Sequence, residues 1–179
     1  TSHLAKLRNR TRGRVALPVV IRVPFGGGIG GVEHHSDSSE AYYTHTPGLR
    51  VVTPGTPADA YLLLREAIRC PDPVVFLEPK RRYWSKETAV LTPEGPPIDR
   101  AVVRRAGSDV TLIAYGGMVA TALEAAEAAV EEDWDVEVID LRSLSPFDDQ
   151  TLTESVSRTG RAVLVHEAAG FAGYGAEVA

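Results

Sequence analysis

The sequence alternates short runs of β-branched residues with segments of helical periodicity, and this alternation constrains the fold more than any other feature. The strand-like runs are Val19–Val23, LRVVTP, Val74–Leu77, VTLIAYG, VEVIDL and AVLVHEA. Helical segments lie between them, and one opens with Thr56 as a cap and Pro57 at its first position. Strands that alternate with helices form βαβ units around mainly parallel sheets. We therefore predict an α/β fold.

A segment rich in proline and glycine, LTPEGPPI, divides the strands into two groups. We predict two parallel-sheet domains, residues 1–84 and 107–179, joined by a linker over residues 85–106. The chain ends in GYGAEVA, which reads as the start of another helix, and neither predicted sheet is obviously complete. We therefore expect both ends to be cut from a longer chain.

The charge and apolar patterns argue against several classes of protein. The net charge of the 179 residues is -5, which does not favour a nucleic-acid partner. No apolar run approaches the ~20 residues of a membrane helix and no signal peptide is visible, so we expect no membrane partner. The single cysteine, Cys70, cannot form an internal disulfide, which fits a reducing compartment. Basic residues crowd the start of the chain and positions 80–82, either as solvated surface or as a docking face for an acidic partner.

The stretch FGGGIGGVEHHSDSSE places five glycines within residues 26–31, shortly before His34 and His35. Glycine is costly to order, so a run of it indicates a tight turn or a close approach of the backbone. The stretch lacks the helix and acidic residue of a dinucleotide fingerprint and the Lys-Ser/Thr of a P-loop. Histidine titrates near pH ~6.5, which suits proton transfer. We interpret the stretch as a tight loop that holds a reactive group at a cleft; a purely structural role for either histidine stays open.

Other chemistries have weaker support. The side chains available to a transition-metal site are Glu33, His34, His35 and His45. However, the chain has no HExxH motif or cysteine pair, and no GxSxG elbow that would support a hydrolase triad. His166-Glu167 follows a strand at the sheet edge where α/β proteins bind ligands. A functional role for this pair and a contact with a neighbouring subunit are both open.

A series of blocks along the chain matches a known family. In order, these are PVVIRVPFGGGIGG, EHHSDSSEAYYTHTPGLRVVTP, the helix from Pro57, DPVVFLEPKRRYW, GSDVTLIAYGGMVATALEAAE, VEVIDLRSLSPFD, TGRAVLVHEA and GFAGYGAEVA. They resemble the β subunit of thiamine-diphosphate-dependent 2-oxo acid dehydrogenases over nearly the whole chain, and so many blocks in one order make the resemblance specific. The EPKRRYW version is more similar to the branched-chain enzyme than to the pyruvate enzyme.

The resemblance implies that residues 1–84 are the later half of a transketolase-like pyrimidine-binding domain and residues 107–179 a truncated transketolase C-terminal-like domain. The family subunit is much longer, and the glutamate that activates its cofactor has no counterpart here. The resemblance also implies thiamine diphosphate with Mg²⁺, bound jointly with an α subunit in an α₂β₂ heterotetramer, and activity only in the full-length chain. It assigns no cofactor-binding residue to the present sequence.

The resemblance gives the two histidines a role. In the family, the histidine before the serine of the H-S-x-S block lies in the active site, and here it is His35. A 2-oxo acid is decarboxylated on the cofactor, and the acyl group passes to the lipoyl disulfide of a dihydrolipoyl acyltransferase. The departing thiolate leaves more easily when it is protonated. We therefore expect His35 to be the catalytic acid, with His34 as a supporting or entrance residue and the glycines close to the channel of the lipoyl arm.

The resemblance also implies a structural potassium ion, held mainly by backbone carbonyls. The corresponding positions are Leu17, Val19, Val20, Ala67, Cys70 and Asp72. Hard cations prefer oxygen ligands, which the turn CPDP can present. Because carbonyl ligands do not depend on side-chain identity, the sequence gives this site little independent support.

The leading hypothesis is a β subunit of a branched-chain 2-oxo acid dehydrogenase, in a bacterial cytoplasm or in the mitochondrial matrix. Alternatives of the same class are a pyruvate dehydrogenase β subunit, a transketolase and a deoxyxylulose-phosphate synthase. An alternative of a different class is a noncatalytic module that assembles the complex.

Overall fold

The computed structural model describes residues 2–89, 92 and 95–179, and within these ranges it contains six helices and eight strands. The helices are α1 Ser2–Arg10, α2 Glu40–Thr44, α3 Pro57–Arg69, α4 Met118–Ala128, α5 Asp149–Thr159 and α6 Gly175–Val178. The strands are β1 Val20–Phe25, β2 Arg50–Val52, β3 Val74–Pro79, β4 Val102–Arg105, β5 Val110–Ala114, β6 Val136–Asp140, β7 Ser143–Ser145 and β8 Ala162–Val165. Short 3₁₀ turns occur at Glu33–His35, Lys80–Arg82 and Ala129–Glu132.

The first sheet has the strand order β1-β3-β2-β7. Strands β1 and β2 both pair with β3 in parallel, and β7 pairs with β2 in the antiparallel direction. Helix α3 packs on this sheet, where Leu63 and Ala67 share a buried cluster with Val52 and Phe76. The almost continuous burial of β3 is typical of a central parallel strand.

The second sheet has the strand order β4-β6-β5-β8. Strands β6, β5 and β8 are parallel, and β4 is antiparallel to β6. Helix α4 packs on it through Val119, Ala122 and Ala126, which share a buried cluster with Ala114 and Val138. Two sheets dominated by parallel strands and flanked by helices confirm the predicted α/β class.

Two short strands depart from the sequence-based expectation. Strand β4 lies within residues 85–106, the predicted linker; this short edge strand with partly exposed side chains has no continuous apolar run that would reveal it in the sequence. Strand β7 comes from the second half of the chain but completes the first sheet, and its sequence SLS carries only one apolar residue. Residues 90, 91, 93 and 94 of the predicted linker lie outside the described residues.

The helix ends follow local capping signals. The Thr56 hydroxyl accepts a hydrogen bond from the Asp59 N–H at 3.2 Å, with Pro57 at the first position of α3, as predicted. Helix α5 begins with Asp148 in the same capping role and ends at Gly160, which has a φ of +71°. Among the helices of the described ranges, none is both long and apolar enough to cross a bilayer.

A buried charge network joins the two halves of the chain. Arg142, which follows β6, donates from Nε to Oδ1 of Asp59 in α3 at 3.1 Å, and its other nitrogens donate to the carbonyls of residues 96, 97 and 100. Arg104 contacts Asp59 and also pairs with Asp140 at 2.8 Å. Burial lowers the pKa of Arg142 to about 10 and raises the pKa of Asp140. These four side chains, hereafter the interior network, hold α3 against the second sheet.

Candidate functional site

The glycine loop begins where β1 ends, at one edge of the first sheet. Strand β3 ends at the same edge and continues into the turn Lys80–Arg82. Two residues that follow β5 and β8 of the second sheet reach this edge as well, because Gly117 and Glu167 lie next to Arg81. Parallel α/β sheets bind ligands at the carboxyl ends of their strands. We therefore take this meeting of strand ends as the candidate site.

The loop from Gly26 to Asp37 is closed by its own backbone. The Gly26 N–H donates to the Asp37 carbonyl at 2.8 Å. Gly26 and Gly28 have φ angles of +78° and +85°, a region that residues with a side chain rarely adopt. The 3₁₀ turn Glu33–His35 follows the glycines and carries both histidines. The tight loop expected from the sequence is therefore present.

His34 and His35 are exposed on this turn, and their ring centroids are 4.3 Å apart with a tilt of 44°. The backbone is anchored around them: Lys80 donates to the His35 carbonyl, and the Ser36 hydroxyl donates to the Gly31 carbonyl at 3.2 Å. Gly31 also leaves room for the neighbouring side chain, because a Cβ there would lie 2.9 Å from the His35 Cβ. His35 thus presents an accessible imidazole on a held backbone.

An ion pair formed between the two halves lies against the glycines. Arg81 donates from Nη1 to Glu167 Oε1 at 3.1 Å and contacts Met118 Sδ at 3.2 Å. A Cβ at Gly26 would lie 2.8 Å from Glu167 Oε2, and a Cβ at Gly28 would lie 2.9 Å from Arg81 Cβ. These two glycines therefore make room for the ion pair, whereas the expected contact of the glycines with a lipoyl arm stays a prediction.

Glu40, in the first turn of α2, is 1% exposed, and neither of its carboxylate oxygens has a hydrogen-bond partner among the described residues. Burial is the main cause that raises the pKa of this carboxyl, and the charge of Glu167 adds to the increase. The nearby Tyr115 hydroxyl lowers the pKa by less, although no hydrogen bond of normal geometry joins the two groups. The fold therefore favours the neutral carboxylic acid.

Tyr115 directly follows β5 and stacks on His166, which directly follows β8, with ring centroids 6.1 Å apart and planes 11° apart. Tyr174 meets the Tyr115 ring edge-on at 5.6 Å and donates its hydroxyl to a backbone carbonyl at 2.8 Å. Burial raises the pKa of both tyrosine hydroxyls. Gly175 packs directly on His166, because a Cβ there would lie 2.1 Å from Nε2. Of the predicted pair, His166 packs within the second half, whereas Glu167 faces the glycine loop.

A groove of about 1040 Å³ begins beside the histidine loop. It runs from Asp37 and Ser38 along Tyr42 of α2 to Phe171, whose ring is 95% exposed. Neither imidazole of the 3₁₀ turn lines it. The groove therefore adjoins the candidate site without containing its two histidines.

The six positions predicted for a potassium site lie on two segments that the fold brings together. The Leu17 N–H donates to the Pro71 carbonyl at 3.0 Å, and the Val74 N–H donates to the Val19 carbonyl at 2.9 Å. The Val19 carbonyl accepts this bond, and the Ala67 carbonyl accepts one from the Cys70 N–H at 3.2 Å. These contacts bring the two segments together, and the potassium site stays a prediction.

The transition-metal alternative has no support in the part of the chain that the structure describes. Within it, no group of three or more histidine, cysteine, aspartate or glutamate side chains is arranged to hold a metal ion. His45 follows α2, so it lies on a different element from His34 and His35.

Sequence reasoning missed three features of the site. Glu40 reads as an ordinary acidic residue in a first helical turn, a position that the helix dipole favours. Arg81 reads as surface charge within KRR, and Tyr115 as one more apolar residue after a strand. Only the tertiary contacts reveal the Arg81–Glu167 pair and the buried carboxyl beside Tyr115. The adjacency of strand ends was the one signal that pointed to Glu167.

Both halves of the chain match families of known proteins. Residues 2–85 match the family described as "Transketolase, pyrimidine binding domain", and residues 99–179 match "Transketolase, C-terminal domain". A solved structure described as "Split gene transketolase, inactive beta4 tetramer" superposes with a TM-score of 0.78 at 27% identity, covering 98% of this chain and 58% of that one. The chain therefore belongs to the transketolase-like family.

Within this family, the curated proteins similar to the chain indicate a narrower group. The "3-methyl-2-oxobutanoate dehydrogenase subunit beta" of Mycobacterium tuberculosis is 56% identical, over 99% of this chain and 51% of that protein. The "Pyruvate dehydrogenase E1 component subunit beta" of Leifsonia xyli is 52% identical, over 100% of this chain and 53% of that protein. The chain spans about half the length of the curated relatives it matches. The resemblance to β subunits of 2-oxo acid dehydrogenases is thereby confirmed.

Proposed function

We propose that this chain is part of the β subunit of the decarboxylating component of a branched-chain 2-oxo acid dehydrogenase. Together with an α subunit, it takes part in the oxidative decarboxylation of a 2-oxo acid and the reductive acylation of lipoyl groups. The observation that carries this proposal is the exposed imidazole of His35 on an anchored turn at the carboxyl edge of a parallel sheet. The similarity of the chain to dehydrogenase β subunits along its whole length supports it.

His35 has the accessibility and the chemistry of a general acid. When bound, thiamine diphosphate supplies the carbon nucleophile that releases CO₂ from the oxo acid and passes the acyl group to sulfur. One sulfur of the lipoyl disulfide takes the acyl group, and the S–S bonding electrons leave with the other sulfur as a thiolate. That thiolate takes a proton from the His35 imidazolium, which becomes a neutral imidazole. The His34 ring centroid lies 4.3 Å from that of His35. We assign His34 as a supporting residue, or as a residue at the entrance of the channel for the lipoyl arm.

The remaining groups of the reaction are shared with partners. We infer that thiamine diphosphate and Mg²⁺ are bound jointly with the α subunit of an α₂β₂ heterotetramer, in which the α subunit binds the diphosphate end of the cofactor. The lipoyl group arrives on a dihydrolipoyl acyltransferase. We also propose a K⁺ ion held by carbonyl oxygens of residues 17–20 and 67–72, two segments that backbone hydrogen bonds bring together. The named relatives are bacterial, which supports a cytoplasmic location.

The preference for a branched-chain substrate rests on the EPKRRYW block and on the higher of two similar identities, 56% against 52%. A pyruvate dehydrogenase β subunit is therefore the second candidate. The ratio of kcat/KM for a branched-chain 2-oxo acid to that for pyruvate separates the two, because extra methyl groups in a fitted apolar pocket change this ratio by roughly 10–200-fold.

Replacement of His35 in the full-length protein, purified with its partner, tests the proposal. We predict that His35→Ala lowers acyl transfer to lipoyl groups more than about tenfold, because a positioned acid contributes roughly 10²–10⁴ in rate. Single-turnover acylation of a lipoyl domain measures this step. Binding of thiamine diphosphate, followed by calorimetry, barely changes because the removed ring is exposed.

His45→Ala is the matched control, since His45 is also exposed but follows α2 rather than lying on the 3₁₀ turn. We expect acyl transfer in this variant to stay within about twofold of the parent, as for a residue that takes no part in proton transfer. Undiminished lipoyl acylation in His35→Ala would contradict the assignment.

A further inference from the structure

The turn Lys80–Arg82 connects the histidine loop to the second half of the chain. Its first residue, Lys80, donates to the His35 carbonyl. Its second residue, Arg81, donates to Glu167, which follows β8 of the second sheet. Two adjacent side chains therefore link the backbone that carries His35 to an element that lies 86 residues away along the chain from Arg81.

Three glycines enclose the Arg81–Glu167 pair. Gly26 and Gly28 contribute from the loop, where a Cβ would lie 2.8 Å from Glu167 Oε2 or 2.9 Å from Arg81 Cβ. Gly117 contributes from the second half, where a Cβ would lie 2.6 Å from Arg81 Cδ. Real Cβ atoms do not approach other atoms so closely, so the loop and the ion pair are packed as one unit. Movement of either side chain would leave the glycine backbone without its packing partner.

We propose that Arg81 and Glu167 are positioning residues for His35: their ion pair, seated on Gly26, Gly28 and Gly117, holds the histidine loop from the second half of the chain. This role rests on the proposed function of His35 as an acid. The pair itself touches no reacting atom. It acts by fixing the backbone of residues 26–37. The His35 imidazole lies near the end of this segment.

The exposure of the Arg81–Glu167 pair indicates whether its loss should change global stability or the rate of acyl transfer. The Arg81 and Glu167 side chains are 35% and 22% exposed, and ion pairs of this kind add little to global stability. A loss of alignment at a reacting centre is different, because a displacement of about 1 Å can reduce a rate by about 100-fold. Variants of the pair should therefore fold normally and lose acyl transfer.

A double-mutant cycle on the full-length protein in its assembly tests this inference. We expect Arg81→Gln, Glu167→Gln and the double variant each to lower kcat for lipoyl acylation by about tenfold, because the three share one lost contact. The KM for the lipoyl domain and the decarboxylation rate with an artificial electron acceptor stay within about twofold. Arg81→Lys, which keeps the charge, recovers part of the loss.

Hydrogen exchange of residues 26–37 gives a readout that does not depend on activity. Loss of the ion pair should speed amide exchange in this loop by about tenfold, because local opening no longer breaks the interaction with the second half. The matched control is the pair Arg69–Glu66, an ion pair on the exposed side of α3 at 3.4 Å. Arg69→Gln and Glu66→Gln should change neither the exchange of this loop nor the acylation rate.

The outcomes separate this inference from the proposed function. If His35→Ala loses acyl transfer while Arg81→Gln and Glu167→Gln keep it, the positioning role is wrong and the role of His35 stands. Loss of activity without faster exchange in the loop, or additive losses in the double variant, also overturns the positioning role. If His35→Ala itself keeps full acyl transfer, the proposed function fails.

Discussion

The contacts around Arg142 and around Arg81 both join the first half of the chain to the second. The two arginines differ in how exposed and how fully paired their charges are. The Arg142 side chain is 0% exposed and is paired with Asp59 and three carbonyls, whereas the Arg81 side chain is 35% exposed and pairs with the carboxylate of Glu167. A buried charge must be fully paired, and breaking such a pair is strongly destabilising. A half-exposed pair contributes little to stability. The first contact therefore fixes the fold, and the second is free to serve the candidate site.

The largest effect is expected from Arg142→Met. Methionine keeps the unbranched shape at a position whose φ is +55°, but it leaves Asp59 without one of its two cationic partners and removes the contact with residues 96–100. We predict that the free energy of unfolding falls by about 3–5 kcal/mol, the range for removing one member of a buried pair. Urea unfolding of the full-length protein measures this change.

Arg69→Met provides the comparison for this variant. Arg69 pairs with Glu66 on the same helix as Asp59, but its side chain is 60% exposed. The expected loss is less than about 1 kcal/mol, as for surface ion pairs in general. Equal losses in Arg142→Met and Arg69→Met would mean that the interior network does not fix the two halves against each other.

A smaller effect is expected at the glycine loop. Gly28 and Gly30 both have positive φ angles, +85° and +69°, but a Cβ at Gly28 meets Arg81 at 2.9 Å whereas a Cβ at Gly30 has nothing within 4 Å. Gly30→Ala should therefore lose only about 1–2 kcal/mol from the left-handed backbone. Gly28→Ala should lose more and should also slow lipoyl acylation, because Arg81 must move.

Thermal unfolding and single-turnover acylation of both variants separate the penalty of the left-handed backbone from the loss of packing against Arg81. The difference between the two alanine variants isolates the packing of Arg81, since the backbone penalty is common to both. If Gly28→Ala and Gly30→Ala behave alike in both measurements, the loop does not depend on Arg81.

Much of the fold follows from local sequence signals. The β-branched runs and the Thr56-Pro57 start of α3 depend on neighbouring residues only, and the structure confirms them. Strand β7 could not be read in this way, because three residues with one apolar side chain become a strand only when β2 offers an unpaired edge. Strand β4 has the same origin, since it forms against the free edge of β6.

The candidate site could be predicted only in part, for a similar reason. The glycines and histidines are consecutive in sequence, so their presence on one loop was visible. The Arg81–Glu167 pair and the approach of Tyr115 to Glu40 arise where the ends of strands from two sheets meet. Such contacts depend on how the two sheets are placed relative to each other, which no periodicity encodes.

Glu40 completes the comparison, because it is as buried as Asp59 and Asp140 of the interior network but has no cationic partner within the described ranges of the chain. The other side chains that shift its pKa are those of Tyr115 and Glu167, and neither is positive. In the interior network, arginines pair with the buried carboxylates. At Glu40, burial instead shifts the protonation equilibrium towards the neutral acid. Near neutral pH, ionisation of Glu40 therefore opposes folding.

The smallest predicted effect is the pH-dependent stabilisation produced by Glu40→Gln. The pKa of Glu40 is raised in the folded state, so its favourable contribution is complete below the unfolded pKa of ~4.3 and is lost as the pH rises through the folded pKa. Glutamine has the same size and does not ionise. The variant should match the parent in stability near pH 4 and become more stable than the parent as the pH rises towards 8, because only the parent must then bury a charge or keep a proton. Urea unfolding at both pH values measures the difference, and a variant that is less stable than the parent at pH 8 would show that the Glu40 carboxylate is stabilised by a partner after all.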